Sequence, residues 1–106
     1  MDIKVFDVVM ACTNRKVRKD RKERFNVFCF RADRVVDNLG VSAIYAEGIP
    51  EKDGVVVEFK IDDLEISGRL RSLFELLVLS SDSVGFRYED EDEFIVSFYK
   101  FDIFEG

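Results

Sequence analysis

The amino-acid sequence predicts an α+β fold, a mostly antiparallel sheet of about six strands with one main helix packed on a face. Residues 55–62, VVVEFKID, alternate apolar and polar side chains in the manner of a half-buried strand. Residues 67–81, SGRLRSLFELLVLSS, have helical spacing instead. The length of 106 residues and the 47% hydrophobic content predict a single domain, 1–106, with one modest core.

Two apolar strands are predicted in the first third of the chain. Residues 3–12, IKVFDVVMAC, are apolar on both alternating faces, which is typical of a central strand. Residues 25–30, FNVFCF, share this character and are rich in aromatic residues, which favour strands. The segment between them has one apolar side chain, Val17, so we expect a solvated loop or a protruding hairpin arm there.

A short helix is predicted at about residues 34–39, with Asp33 as its N-cap and Gly40 in the left-handed position after its last turn. A hairpin follows, because the strand-like segments 41–47 and 55–62 flank a stretch rich in turn-forming residues.

The main helix is expected at about residues 68–80, with Ser67 as its cap and a leucine-rich stripe that faces the sheet. Residues 84–104 predict a second hairpin. Its tip, residues 89–93, is a run of five acids that we call the acidic tip: Glu89, Asp90, Glu91, Asp92 and Glu93.

Charge is divided along the chain. Residues 1–36 carry a net charge of +5 and residues 37–106 a net charge of −11, and the whole chain has −6. Seven of the eleven residues from 14 to 24 are basic, and we call this cluster the basic run: Arg15, Lys16, Arg18, Lys19, Arg21, Lys22 and Arg24. Such asymmetry is typical of proteins with a charged partner.

The basic run predicts a small, non-enzymatic binding protein whose preferred partner is a nucleic-acid backbone. Lysine and arginine neutralise phosphates and displace their counterions. Phe25, Phe28 and Phe30 follow the run and could stack on unpaired bases. The alternatives are a solvated loop whose cations pair with acids of the same chain, and a protein partner.

The acidic tip supports a second interpretation, a protein–protein effector or inhibitor of the kind that viruses and mobile elements carry. Together with Asp82 and Asp102, nearby in sequence, the tip would imitate a row of phosphates and occupy a basic groove. In a third arrangement, the basic run of one copy meets the acidic tip of another and forms a charge-complementary homodimer. The simplest alternative is a hairpin tip that is merely solvated.

A catalytic interpretation ranks third. The segment GIPEKDGVVVEFK loosely resembles the PD-(D/E)xK pattern of metal-dependent nucleases, with Glu51, Glu58 and Lys60 at the matching positions. The resemblance implies that two carboxylates hold Mg²⁺ while the lysine orients the attacking water.

Other chemistry has little support in the sequence. Without histidine there is no Ser-His or Cys-His nucleophile pair, and no glycine-rich phosphate loop is present. Cys12 and Cys29 are expected to be reduced and largely buried, and we expect no cofactor and no metal. No apolar run is long enough to cross a membrane, and no signal segment opens the chain. We therefore expect a cytoplasmic protein, in the host cytoplasm if the chain is viral.

Overall fold

Three helices and a four-stranded sheet make up the described part of the chain. The structure, a computed structural model, describes residues 4–39, 44–62 and 68–106. In chain order the elements are α1 (Val5–Cys12), α2 (Lys22–Leu39), β1 (Ile44–Ile49), β2 (Gly54–Asp62), α3 (Gly68–Ser80), β3 (Ser83–Tyr88) and β4 (Glu93–Lys100).

The sheet is antiparallel throughout and has the strand order β1-β2-β4-β3. This arrangement confirms the α+β class, the two hairpins and the main helix. The prediction of about six strands was wrong, since the described residues form four. Val55, Val57 and Phe59 point to one side of the sheet, which we call the helix side, and all three are fully buried.

Residues 5–12 of the segment predicted as the first strand form helix α1, and Ile3 is outside the described residues. Val5 and Val9 are fully buried and lie four residues apart, so one helical face carries both. The Asp33 carboxylate of α2 accepts a hydrogen bond from the Val5 backbone N–H at 2.6 Å and so caps α1 from outside. Short apolar runs of valine fit either element, and here tertiary packing overrides their strand propensity.

The predicted strand 25–30 and the predicted short helix 34–39 are both parts of α2, an 18-residue helix. The predicted loop is confirmed only for residues 13–18, because residues 19–21 form a 3₁₀ turn and residues 22–24 form the first turn of this helix. The buried positions follow one stripe at helical spacing. They are Phe25, Phe28, Cys29, Ala32, Val35 and Val36. The proposed N-cap Asp33 therefore lies inside α2, and Gly40 is outside the described residues.

Helix α3 begins at Gly68 and ends at Ser80, as the leucine spacing predicts. Its buried stripe is Leu70, Leu73 and Leu77. Phe74, on one flank, stacks on Phe98 of β4 with ring centroids 5.8 Å apart. The proposed cap Ser67 is outside the described residues.

The two cysteines differ in their surroundings. Burial raises the pKa of the Cys29 thiol to about 12, so this side chain is an inert part of the core. Cys12, at the end of α1, is exposed, contrary to the expectation that both thiols are buried. No helix among the described residues is long and apolar enough to span a membrane.

Gly54 provides a test of the sheet register. A Cβ atom there would lie 2.2 Å from the backbone oxygen of Lys100, whereas one at Gly48 would meet nothing within 4 Å. We predict that Gly54→Ala lowers the free energy of unfolding by about 1–3 kcal/mol, because the central pair β2–β4 must move apart. Urea unfolding measures the change. Gly48→Ala is the control, and an equal loss in both variants would contradict the register.

Candidate functional site

The basic run does not protrude from the molecule. Its first half lies along the C-terminal residues, where Val17 forms an antiparallel bridge with Phe104. The Arg18 N–H donates to the Ile103 carbonyl at 2.8 Å, and the Glu105 N–H donates to the Lys16 carbonyl at 2.8 Å. Residues 19–21 then form a 3₁₀ turn that leads into α2.

Three of the seven cations are held by acids of the same chain. The Arg15 guanidinium contacts the Asp53 carboxylate at 2.5 Å and lies over the Phe104 ring. Arg18 and Arg21 share Asp102, at 2.5 and 2.9 Å. The alternative in which the basic run pairs internally therefore accounts for this half of the cluster.

Asp53 and Asp102 are placed by unusual backbone conformations. Their φ angles are 48° and 57°, in the left-handed region that aspartate tolerates better than most residues. The Asp53 carbonyl accepts the N–H groups of Ile103 and Phe104, and the Lys52 carbonyl accepts the Asp102 N–H. The hydrogen bond from Arg21 and the charges of Arg18 and Arg21 hold the pKa of Asp102 below its ordinary value.

The other four cations remain available. Lys16, Lys19, Lys22 and Arg24 are exposed, and none of them takes part in an ion pair of the described residues. The proposed base-stacking platform is not formed as predicted. Phe25 and Phe28 are fully buried in the core. Phe30 alone of the three is exposed.

The acidic tip is the turn between β3 and β4. Glu89 to Asp92 are exposed, and no ion pair of the described residues includes them. Glu93 starts β4 and contacts Lys60 at 3.5 Å. Asp82 precedes β3 and Asp102 follows β4, so both lie at the opposite end of this hairpin. Asp82 and Asp102 therefore do not lie beside the tip. The predicted row of phosphate-like charges is limited to the acids of the tip.

Beside the tip is a surface that the sequence interpretation missed. Val84, Phe86 and Tyr88 pair with the buried or half-buried residues Phe98, Val96 and Phe94, so they point to the helix side of the sheet. No described helix covers them. Phe86 is 58% exposed and Tyr88 is 66% exposed. We call these three residues the β3 aromatic face. Their alternation was visible in SVGFRY, but the strand order that leaves them uncovered was not.

The residues of the nuclease pattern are separated. Glu51 lies exposed in a 3₁₀ turn before β2. Glu58 lies four residues into β2, which is roughly 13 Å from the start of the strand. Lys60 shares its face of the sheet but pairs with Glu93. Among the described residues no group of three or more His, Cys, Asp or Glu side chains could hold a metal ion.

Glu58 has a different set of partners, on the sheet face opposite the helices. Its carboxylate accepts hydrogen bonds from the Ser97 hydroxyl at 2.6 Å and from Arg87 at 3.0 Å. Glu58 and Arg87 border a shallow depression of about 500 Å³, together with Tyr45 and Lys60. Burial acts to raise the pKa of Glu58, but the hydrogen bonds from Arg87 and Ser97 outweigh it and hold the pKa below its ordinary value. The arrangement orients Arg87 away from the β3 aromatic face.

The Glu58 cluster predicts a pH dependence. Because the folded-state pKa is lowered, the cluster stabilises the fold above the unfolded-state pKa, and this contribution is lost as the pH falls through the folded-state value. NMR titration of the Glu58 side-chain carbon should give a midpoint below that of an unstructured peptide. Arg87→Gln should raise the midpoint, while Lys60→Gln, a change in the same depression, should not. A midpoint that does not respond to Arg87→Gln would contradict the assignment.

Comparisons with known proteins identify no relative. No known protein family matches the chain, and neither the curated proteins nor the solved structures contain a significant match. The candidate surfaces are a basic run with three of its seven cations paired internally, an acidic tip in which only Glu93 has an ion-pair partner among the described residues, and the β3 aromatic face beside that tip.

Proposed function

We propose that this chain is a non-enzymatic effector that docks on a basic surface of another protein through its acidic tip and its β3 aromatic face. The main support for this proposal is that the acidic tip and the β3 aromatic face are continuous on the surface. Two large exposed rings, Phe86 and Tyr88, lead directly into four exposed acids that lack an ion-pair partner among the described residues.

The chemistry of such a surface suits a protein partner. Aromatic side chains bury much area for little loss of conformational entropy, and they dominate the centres of protein interfaces. Charges at the rim steer encounter and select partners of opposite sign. A nucleic acid would instead be repelled by the acids of the tip. An effector or inhibitor that covers a basic site on its target is therefore the function that this surface supports best.

This proposal predicts which substitutions weaken binding to the target protein. Affinity purification from lysate of the source organism should yield a basic protein that binds less well to an Asp90→Asn, Glu91→Gln double variant. Two rim charges contribute about 0.2–1 kcal/mol each, so affinity should fall roughly 2- to 30-fold when remeasured with the purified target. Asp37→Asn with Glu51→Gln is the control, because it removes the same charge elsewhere. Equal binding by all three proteins would overturn the proposal.

A second candidate function, contact with a nucleic-acid backbone, is favoured by one observation. Lys16, Lys19, Lys22 and Arg24 are exposed and without ion pairs among the described residues, and the last two lie in the first turn of α2. There the helix dipole adds to the positive potential. This site has four cations rather than the predicted seven, because Arg15, Arg18 and Arg21 are engaged internally.

The nucleic-acid function makes its own quantitative prediction. With four phosphate contacts, the logarithm of the affinity should fall with the logarithm of salt concentration at a slope of roughly −3.5 for duplex DNA. Changing Lys16, Lys19, Lys22 and Arg24 to Ser should remove this binding. The control variant Arg71→Ser changes a cation on another surface and should retain it. No binding at low salt would exclude this function.

A further inference from the structure

A groove lies between α3 and the second hairpin, on the helix side of the sheet. It has a volume of about 310 Å³, and its walls are mostly apolar. Phe74 and Val78 of α3 form one wall, and Phe94, Val96 and Phe98 of β4 form the floor. On the other side of this floor lies the β3 aromatic face, whose three residues pair with Phe98, Val96 and Phe94.

The β3 aromatic face continues the floor without a break. The Phe86 ring lies 4.9 Å from the Phe94 ring, measured between centroids, and the Tyr88 ring lies 6.3 Å from it. Phe94 is buried whereas Phe86 and Tyr88 are more than half exposed. The apolar surface therefore runs from the core outward to the edge strand. A continuous exposed apolar surface of this kind marks an interaction site.

The dimensions of this surface suit a helix. Phe74 of α3 contacts both Phe59 of β2 and Phe98 of β4, so α3 lies over the boundary between these two strands. Neighbouring helices pack about 8–10 Å apart, and strands lie about 4.8 Å apart. Since β3 lies one and a half strand spacings, or about 7 Å, from that boundary, a helix placed beside α3 would lie over β3 and its outer edge. Its side chains would cover Val84, Phe86 and Tyr88, which are 43%, 58% and 66% exposed.

The charges beside the groove indicate which side chains are favoured at one end of that helix. The groove itself has one residue of each sign, Arg71 and Glu75. The acidic tip lies at the Tyr88 end of β3 and adds four acids that form no ion pair within the described part of the chain. The charge of Arg87 acts on Glu89, but its guanidinium is bound to Glu58 on the opposite face of the sheet. A ligand that has lysine or arginine at this end gains electrostatic complementarity.

A second copy of the chain fits this surface poorly. If two β3 strands paired antiparallel about a two-fold axis at Phe86, Asp90 of each copy would face Asp82 of the other. Like charges placed directly opposite each other on paired strands are destabilising. The charge pattern therefore favours a partner of different composition.

We infer that the groove beside α3 binds an amphipathic helix of a partner protein, with apolar residues against Phe74, Val78 and Phe86 and with lysine or arginine at the end beside the acidic tip. This inference deepens the proposed function and rests on it. The helix would complete the layer of helices on this side of the sheet, because α3 is the last described helix before the open edge.

Synthetic peptides test the inference directly. The probes are peptides of about 18 residues, or five helical turns, with leucines at i, i+3, i+4 and i+7 and lysines at either the first or the last turn. One of them should perturb the methyl NMR signals of Val78, Val84 and Val96 and become helical on binding. Phe86→Ser should weaken its affinity by about tenfold or more. Leu79→Ser, an exposed change on α3 away from the groove, should not, since Leu79 is 77% exposed.

Each other outcome overturns the inference. Preference for glutamate-ended peptides excludes the charge assignment. Preference for an extended peptide with alternating valines means that β3 adds a strand instead. Concentration-dependent dimers lost on Phe86→Ser mean that a second copy occupies the groove, and no perturbation at the three valines means that nothing helical binds there. These results are distinct from failure of the proposed function, because a purified target that depends on the tip and on Phe86 but leaves the Val78 and Val96 signals unperturbed would leave that function standing.

Discussion

Burial of a single apolar stripe along α2 organises the molecule. Six residues at helical spacing, from Phe25 to Val36, occupy the centre of the core. Each fully buried phenylalanine contributes roughly 1.5–3 kcal/mol relative to an exposed one, so the two in this stripe outweigh any surface ion pair. Helix α1 depends on the same helix, because it packs Phe6 on Phe25 and receives its N-terminal cap from Asp33.

The position of this stripe also determines how the charges are distributed. The stripe begins at Phe25, so Lys22 and Arg24, just before it, lie in the first turn of α2. The cations that precede them lie in the segment that connects α1 to α2, and this segment runs along the C-terminal residues. There Asp53 and Asp102 meet Arg15, Arg18 and Arg21. The acidic excess of the second half of the chain thus neutralises part of the basic run, while the acidic tip stays apart at the far end of the hairpin. This chain can therefore concentrate cations in the basic run despite its negative net charge, because three of the seven cations in the run form ion pairs within the fold.

The candidate surfaces were accessible to sequence reasoning to different degrees. The acidic tip was predictable, since five adjacent acids between two strand-like segments repel each other and favour a solvated turn. The partners of Arg18 and Arg21 were not, because Asp102 lies more than eighty residues away. The β3 aromatic face could not be inferred either. Alternation in SVGFRY identifies a strand with one apolar side, but whether a helix covers that side depends on the position of the strand in the sheet.

The sequence by itself determined the α+β class, α3, β2 and the two hairpins, because in these segments the hydrophobic period is unambiguous and the turn residues agree with it. Tertiary structure decided the first third. Residues 5–12 and 25–30 are rich in valine and phenylalanine, whose local preference is for strands, yet packing made both helical. It also decided which charges stay free, since an ion pair requires two distant segments to meet. Local preference is a small energy per residue, whereas burial of a complete apolar face is large and depends on the whole chain.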